Sequence, residues 1–225
     1  MALNLVMLGP PGAGKGTQAA GVEQERGIPQ VSTGDILREA VQAGTALGRQ
    51  AQAVMERGEL VSDALIVEIV RERLAREDTR GGFILDGFPR TVAQAVALDE
   101  ILAGRDPLIV VELSVPDRAL VERLSRRRVC RECGATYGAG AGAVPAVCAR
   151  CGAALVARKD DRGEVVQERL RVYREQTEPL VAFYRDRPTF RRVDGQQPPP
   201  AVRIAIGGAI DAAEAAIRVQ SSPAG

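Results

Sequence analysis

Gly9-Pro10-Pro11-Gly12-Ala13-Gly14-Lys15-Gly16-Thr17 follows directly on the apolar run Leu3–Leu8 and leads into a helix-forming stretch, Thr17–Arg26. An apolar strand that enters a glycine-rich turn and leaves as a helix is the setting in which a phosphate loop works. The glycines let backbone N–H groups turn inward around a polyphosphate. The helix N-terminus adds the positive end of its dipole, and a lysine supplies a mobile cation for the β and γ phosphates. Lys15 is one of two lysines in the chain, the other being Lys159; arginine supplies the rest of the positive charge. One residue departs from the common pattern, in which Ser or Thr follows the lysine: Gly16 stands between Lys15 and Thr17. The loop marks a phosphate binder and leaves the phosphate chemistry open.

Outward from the loop, four more strand-like segments follow: Pro29–Ser32, Phe83–Asp86, Leu108–Leu113 and Thr189–Val193. Phe-Ile-Leu at 83–85 and Leu-Ile-Val-Val at 108–111 are continuous apolar runs, as expected of strands covered on both faces. Helix-patterned stretches lie between them: Asp63–Arg76, Val92–Ala103, Asp117–Arg126, Val165–Arg187 and Pro200–Val219. This alternation predicts a parallel sheet wrapped by helices, with ligands gathered at the carboxyl ends of the strands. The phosphate loop, Ser32-Thr33, Asp86-Gly87 and Asp194-Gly195 all fall at such ends. Two stretches break the pattern. Thr33–Leu60 is helical without a strand, and Arg126–Asp161, rich in Gly, Ala and Cys, reads as an inserted subdomain. The tail Ser221–Gly225 is expected to fray.

At 225 residues the chain is long enough for one α/β domain with insertions. A net charge of +1 gives no electrostatic case for nucleic acid or an anionic membrane as the main partner. No apolar stretch approaches bilayer-spanning length, and Met1-Ala2-Leu3-Asn4 lacks the basic start of a signal peptide, so a soluble cytoplasmic protein is expected. Aromatic residues make up 3% with no Trp, which leaves no broad platform for base stacking. Histidine is absent, which removes the usual neutral-pH base and every imidazole metal ligand. Chemistry here rests on positioning, charge stabilisation and carboxylates.

All four cysteines fall in two copies of C-x-x-C-G: Cys130 and Cys133 before Gly134, and Cys148 and Cys151 before Gly152. A glycine after the second cysteine permits positive φ, so that backbone N–H groups can face the thiolates. The thiolates of Cys130, Cys133, Cys148 and Cys151 form a tetrahedral zinc set with no open position, hence a structural site. Disulfides or buried thiols are the plain alternatives; a cytosolic setting and the doubled spacing favour the metal, and spacing alone leaves iron in the same cage open. The intervening loop carries one aromatic, Tyr137, and no basic cluster, which favours scaffolding over nucleic-acid binding.

Asp86-Gly87-Phe88-Pro89-Arg90 follows a buried strand, where an aspartate can hold water on a magnesium ion. Ser32 to Arg38 offers a hydroxyl cap for the next helix and an arginine one turn later. Arg123, Arg126, Arg127, Arg128, Arg158 and Arg169 add planar, always-charged donors. Singly, each reads as a solvated surface residue; together they suit two polyphosphates facing each other.

These motifs, with Gly58–Asp63, Gln94 and Val193–Gln197, run in order over nearly the whole chain and closely resemble the adenylate kinase family, in its long-lid bacterial form with a zinc-bearing lid. The resemblance implies the α/β, P-loop nucleoside monophosphate kinase fold, a five-stranded parallel sheet flanked by helices. Residues 1–31, 62–125 and 162–225 would form the core, 32–61 a helical NMP-binding insertion and 126–161 the zinc-binding lid. It implies reversible transfer of the γ-phosphoryl group of Mg·ATP to AMP, giving two ADP, with Mg2+ accompanying ATP and Zn2+ structural. The partners implied are ATP, AMP and ADP, without nucleic acid or membrane, and the expected state is a monomer.

Carried over by position, Gly12, Ala13, Gly14, Lys15, Gly16 and Thr17 hold the ATP phosphates, with Lys15 bridging toward the transferred group. Arg123 lies by the ATP adenine, Arg127 contacts ATP phosphates, and the backbone around Thr136-Tyr137 and at Gln197 completes the ATP site. Thr33, Arg38, Glu59, Leu60, Val61, Gly87, Phe88, Pro89, Arg90 and Gln94 form the AMP site, with the Gln94 amide pairing with the adenine edge. Arg158 and Arg169 reach from the lid side to the reacting phosphates and share the AMP site, while Asp160-Asp161 hinge or lock the lid. Lys15, Arg38, Asp86, Arg90, Arg127, Arg158 and Arg169 are the implied catalytic set. Departures from the family pattern are the segment Gly138–Gly142, which lacks an expected histidine, and Gly163 and Gln167 near Arg169. UMP, CMP or GMP as acceptor and GTP as donor are the rival chemistries; Gln94 and Thr33 favour adenine. A zinc-ribbon nucleic-acid binder is the rival of another class, disfavoured by the near-neutral charge.

Overall fold

The computed structural model describes residues 1–138 and 143–221. Of the atypical segment Gly138–Gly142 only Gly138 falls among them, and the tail beyond Ser221 lies outside. In chain order, β1 (Leu3–Leu8) leads into α1 (Lys15–Arg26) and β2 (Gln30–Ser32). The helices α2 (Thr33–Gln42), α3 (Ala46–Glu56) and α4 (Asp63–Leu74) follow, then β3 (Gly82–Asp86), α5 (Val92–Ile101), β4 (Leu108–Ser114) and α6 (Asp117–Arg126). Three short strands, β5 (Arg128–Cys130), β6 (Thr136–Tyr137) and β7 (Leu155–Val156), precede α7 (Gly163–Val172), α8 (Pro179–Tyr184), β8 (Phe190–Asp194) and α9 (Pro199–Ser221).

The main sheet has the order β2-β3-β1-β4-β8 with every pair parallel, as the alternation of elements required. Leu5 lies opposite Ile84 on one side and Ile109 on the other. Alternate side chains enter two separate cores. Leu5, Met7, Ile84, Ile109 and Val111 pack with Val22, Leu120, Leu170 and Ile206 from α1, α6, α7 and α9. Val6, Leu8, Phe83, Leu85 and Val110 pack on the opposite face with Leu37, Val70, Leu98 and Tyr184. Continuous apolar strands are stabilised by burial on both faces, at about 1.5–3 kcal/mol for each fully buried large side chain. The central strands are the rigid part; the loops at their carboxyl ends inherit fixed positions.

Local departures have local causes. The first helix starts at Lys15, two residues before the expected Thr17, because its N-cap Gly14 takes the left-handed conformation at φ 97°. The stretch Val165–Arg187 is not one continuous helix: α7 ends at Val172 and Tyr173–Thr177 winds as a π turn before α8. Pro179 is the reason, since its ring would clash with the carbonyl four residues back in a regular helix. The wider turn instead lets Glu178 N–H reach the Tyr173 carbonyl at 2.8 Å. Within Thr33–Leu60, Ser32 Oγ accepts from Asp35 N–H at 3.3 Å and Thr45 Oγ1 from Gly48 N–H at 3.0 Å, capping α2 and α3. In the cysteine-bearing subdomain, β5 pairs antiparallel with both β6 and β7. No helix of the described residues is long and apolar enough to cross a membrane.

Candidate active site

The phosphate loop closes on its own lysine. Lys15 Nζ donates to the Gly9 carbonyl at 2.7 Å and the Pro10 carbonyl at 3.0 Å. Burial, joined by Arg90, Arg169 and Arg127 and opposed by Asp86, pulls the Lys15 ammonium down to about 8. Beside it, Asp86 at the end of β3 accepts one long hydrogen bond, from Gln30 Nε2 at 3.3 Å. Its carboxylate also faces Gly16. A Cβ at position 16 would stand 3.1 Å from Asp86 Oδ2, so a serine or threonine there would press on the acid.

Arginines from several elements converge on this loop. Arg38 Nε and Nη2 both donate to Asp35, at 3.2 and 2.5 Å. Arg90 Nε donates to the Gly87 carbonyl at 2.8 Å. Arg127, just past α6, donates from Nε and Nη2 to both oxygens of Asp161, at 2.7 and 2.5 Å. Arg169 on α7 donates to Asp161 at 2.9 Å and pairs with Asp160 at 3.0 Å. The Asp161 side chain is only 2% exposed, so this pairing is buried rather than a surface decoration. Arg158 Nε is buried without any hydrogen-bond partner. Burial first, then neighbouring guanidinium groups, brings Arg90 and Arg158 down to about 10, still protonated at neutral pH. For Asp160, burial pushes upward, but Arg169, Arg127, Arg158 and Arg38 together hold its carboxyl below the usual range.

Lys15, Arg38, Arg90, Asp160 and Arg169 line a cleft open to solvent, together with Gly9 and Pro11 of the loop, Glu59, Leu60, Val61, Gly87 and Pro89; Arg127, Arg158, Asp161 and Asp86 are not part of its lining. Lys159 Nζ lies 3.8 Å from Glu56, so the cysteine-bearing subdomain meets the helical insertion across the cleft. Phe88 is 1% exposed and packs in the core, leaving only its backbone for a ligand. Thr33 and Gln94 are buried behind the cleft wall: Thr33 Oγ1 donates to the Gly87 carbonyl at 2.8 Å. Gln94 is held by two partners. Its Oε1 accepts from Arg90 N–H at 2.8 Å, and its Nε2 donates to Asp63 Oδ1 at 2.7 Å. At the far end, Arg123 Nη2 donates to the Gly195 carbonyl at 2.9 Å, beside the exposed Gln197.

The sulfurs of Cys130, Cys133, Cys148 and Cys151 lie within 4.8 Å of one another, the four residues that the paired motifs named. Cys130 and Cys151 are 3.4 Å apart, Cys133 and Cys148 3.5 Å, and Cys133 and Cys151 3.6 Å. A zinc–sulfur bond of about 2.3 Å sets the edges of a tetrahedron at about 3.8 Å, so the cluster has the size of a four-thiolate metal cage. Gly134 and Gly152 have φ of 70° and 75°, as the motif required. Tyr137 supplies a role the motif did not show. Its hydroxyl lies 3.3 Å from Cys148 Sγ and accepts from Ala149 N–H at 2.9 Å. That hydroxyl, with the N–H groups of Arg150 and Cys151, draws the Cys148 thiol down to about 6. The Tyr137 side chain thus serves the cage, and only its backbone is left for a nucleotide.

A parallel sheet with a phosphate loop at its carboxyl edge and arginines gathered around a cleft beside it is the design of the P-loop nucleoside monophosphate kinases. The comparisons narrow the class. The family model for adenylate kinase matches residues 7–189. An adenylate kinase of Moorella thermoacetica is 53% identical over 212 residues, covering 92% of this chain and 98% of that protein. One from Archaeoglobus fulgidus is 52% identical, covering 86% of this chain and 91% of that protein, and one from Thermodesulfovibrio yellowstonii is 49% identical over similar shares, 86% and 92%. The chain belongs to the adenylate kinase family.

Proposed function

We propose that this cleft transfers the γ-phosphoryl group of ATP to AMP, giving two ADP, and does so reversibly. The observation that carries the reading is the gathering of Lys15, Arg38, Arg90 and Arg169 around one cleft, with Arg127 and Arg158 close enough to act on them electrostatically, in a chain without histidine. Phosphoryl transfer passes through a loose transition state, so in-line positioning and cationic stabilisation of the equatorial oxygens do most of the work. Gly12 to Thr17 hold the donor phosphates on the N-terminus of α1, and Lys15 faces the transferred group. Arg38 and Arg90 hold the acceptor phosphate, with Glu59 to Val61, Gly87 and Gln94 around its base. Arg127, Arg158 and Arg169 close over the reacting oxygens; Arg123, Thr136-Tyr137 and Gln197 border the donor base.

Asp86 fits a magnesium ion through water, having one long hydrogen bond and lying beside the loop; Mg2+ would neutralise donor phosphate charge there. Cys130, Cys133, Cys148 and Cys151 fit Zn2+, which would make 126–161 a rigid lid over the core 1–31, 62–125 and 162–225, with 32–61 covering AMP. Closure of both insertions keeps water from the transferred group. We take the protein as a monomer, and the free thiols of the cage fit a reducing, cytoplasmic setting.

A bisubstrate analogue joining two adenosines through a polyphosphate tests the arrangement, with a Kd expected below about 1 μM. A coupled assay across AMP, UMP, CMP and GMP tests the acceptor. UMP turning over faster than AMP would sink the assignment.

A further inference from the structure

The hydrogen bonds around Gln94 decide which base its amide can read. A side-chain amide presents a donor and an acceptor side by side, and a half-turn exchanges them. The 6-aminopurine edge offers a donor at N6 beside an acceptor at N1. The 6-oxopurine edge offers the reverse, an acceptor at O6 beside a donor at N1. One orientation of Gln94 therefore suits one base class and opposes the other.

In this protein the orientation is set by two partners that cannot change roles. An ionised carboxylate only accepts, and a backbone N–H only donates. Asp63 Oδ1 takes Gln94 Nε2–H at 2.7 Å, while Arg90 N–H gives to Gln94 Oε1 at 2.8 Å. Turned over, the amide would set oxygen against carboxylate oxygen and N–H against N–H. Asp63 is itself anchored, since its Oδ2 accepts from Thr91 Oγ1 at 2.9 Å, and that hydroxyl accepts from Gln94 N–H at 3.2 Å. The ring of bonds thus joins the first residue of α4, just after the helical insertion, to the first turn of α5. One N–H and one lone pair of the Gln94 amide are left unused by these partners, although the residue is only 2% exposed behind the cleft wall.

We propose that Asp63 is a specificity-determining positioning residue: it locks the Gln94 amide in the orientation that accepts a 6-aminopurine monophosphate and refuses a 6-oxopurine monophosphate. Asp63 acts only through Gln94, and the inference rests on the reading of this cleft as an adenine-acceptor site.

Initial rates with AMP and IMP at saturating Mg·ATP test it, because IMP differs from AMP only at the edge in question. The wild type is expected to favour AMP by about a hundredfold or more in kcat/KM. Asp63→Asn, which can present either oxygen or N–H to Gln94, should cut that preference about tenfold, mainly by raising KM for AMP. KM for ATP should stay within about twofold, since the loop is untouched. Asp63→Glu keeps an acceptor-only group and should retain the preference. An Asp63→Asn ratio within about twofold of wild type overturns the proposal, as does an equal fall for AMP and IMP, the mark of a merely structural role. Wild-type use of IMP within about tenfold of AMP overturns it without any variant. A wild type that prefers a pyrimidine monophosphate instead refutes the adenine-acceptor reading itself.

Discussion

Asp161→Asn separates a buried ionic lock from a surface one. In the structure Asp161 receives two nitrogens of Arg127, at 2.7 and 2.5 Å, and Arg169 at 2.9 Å. The Asp161 and Arg127 side chains are 2% and 14% exposed, so water screens neither well. Removing one member of a buried pair costs about 3–5 kcal/mol, most of it from the charge left behind. Two features reduce that here. Asparagine keeps one acceptor oxygen, and Asp160 still pairs with Arg169 at 3.0 Å. A loss of about 2–3 kcal/mol is expected, which in a protein of this size lowers Tm by roughly 5–10 °C. Calorimetric melts of the metal-loaded protein read this directly. The double variant with Arg127→Gln distinguishes the cause. If the cost is an unpaired charge, removing the charge recovers at least about 1 kcal/mol of it. A Tm loss below about 2 °C, or strictly additive losses in the double variant, would refute the reasoning.

Lys15, held near 8 against an ordinary 10.5, loses its proton as pH rises through that range, so kcat/KM for ATP should fall with an apparent pKa near 8. A bound polyphosphate restores the charge, so kcat should stay level further; a flat kcat/KM to about pH 9.5 counts against the assignment. The same shift means that the unfolded chain binds more protons between 8 and 10.5, so this group adds stability as pH rises through that window. Chelating the metal should lower Tm while turnover at low temperature persists; immediate loss of activity with the fold intact would contradict a structural cage. Gly16→Ala should leave Tm equal or higher, by up to about 1 kcal/mol of helix propensity, yet reduce Mg2+-dependent turnover about tenfold by displacing Asp86; full turnover would refute the steric account.

The fold was legible because its signals are local. The runs at Leu3–Leu8 and Leu108–Leu113 are long, apolar and bounded by turns, and the cage declares itself through two repeated spacings. Pairings across distance were not. Arg127 and Asp161 lie 34 residues apart, and Asp63 and Gln94 31, and nothing in either stretch names the other. In sequence Asp63 only closes the motif Gly58–Asp63 and opens a helix-patterned stretch, with nothing to tie it to Gln94. Tyr137 reads as a lid aromatic until β5 and β6 place its hydroxyl against Cys148. Gly138 opens the segment that lacks the expected histidine. Its φ is 95°, and a Cβ there would lie 2.6 Å from the Arg126 carbonyl. No side chain fits this backbone without moving it.

The cations of the cleft divide by what holds them. Arg38, Arg127 and Arg169 rest on carboxylates. Lys15 and Arg90 rest on neutral carbonyls, and Arg158 Nε on nothing. The first group is locked by interactions that stabilise the fold before any phosphate arrives. The second carries charge that burial and like neighbours make unfavourable, only partly offset by Asp86, Asp160 and Asp35, so Lys15 sits near 8 and Arg90 and Arg158 near 10. Burial lowers Arg169 too, but there two aspartates pair with it directly. A half-buried cation without a direct carboxylate partner costs stability in the free protein and returns it when negative charge develops beside it. The two groups should therefore respond oppositely to neutral substitution. Arg158→Gln should hold or raise Tm while lowering kcat by about a thousandfold, whereas Arg127→Gln should lower both. Equal stability losses in the two variants would mean that the division has no functional content.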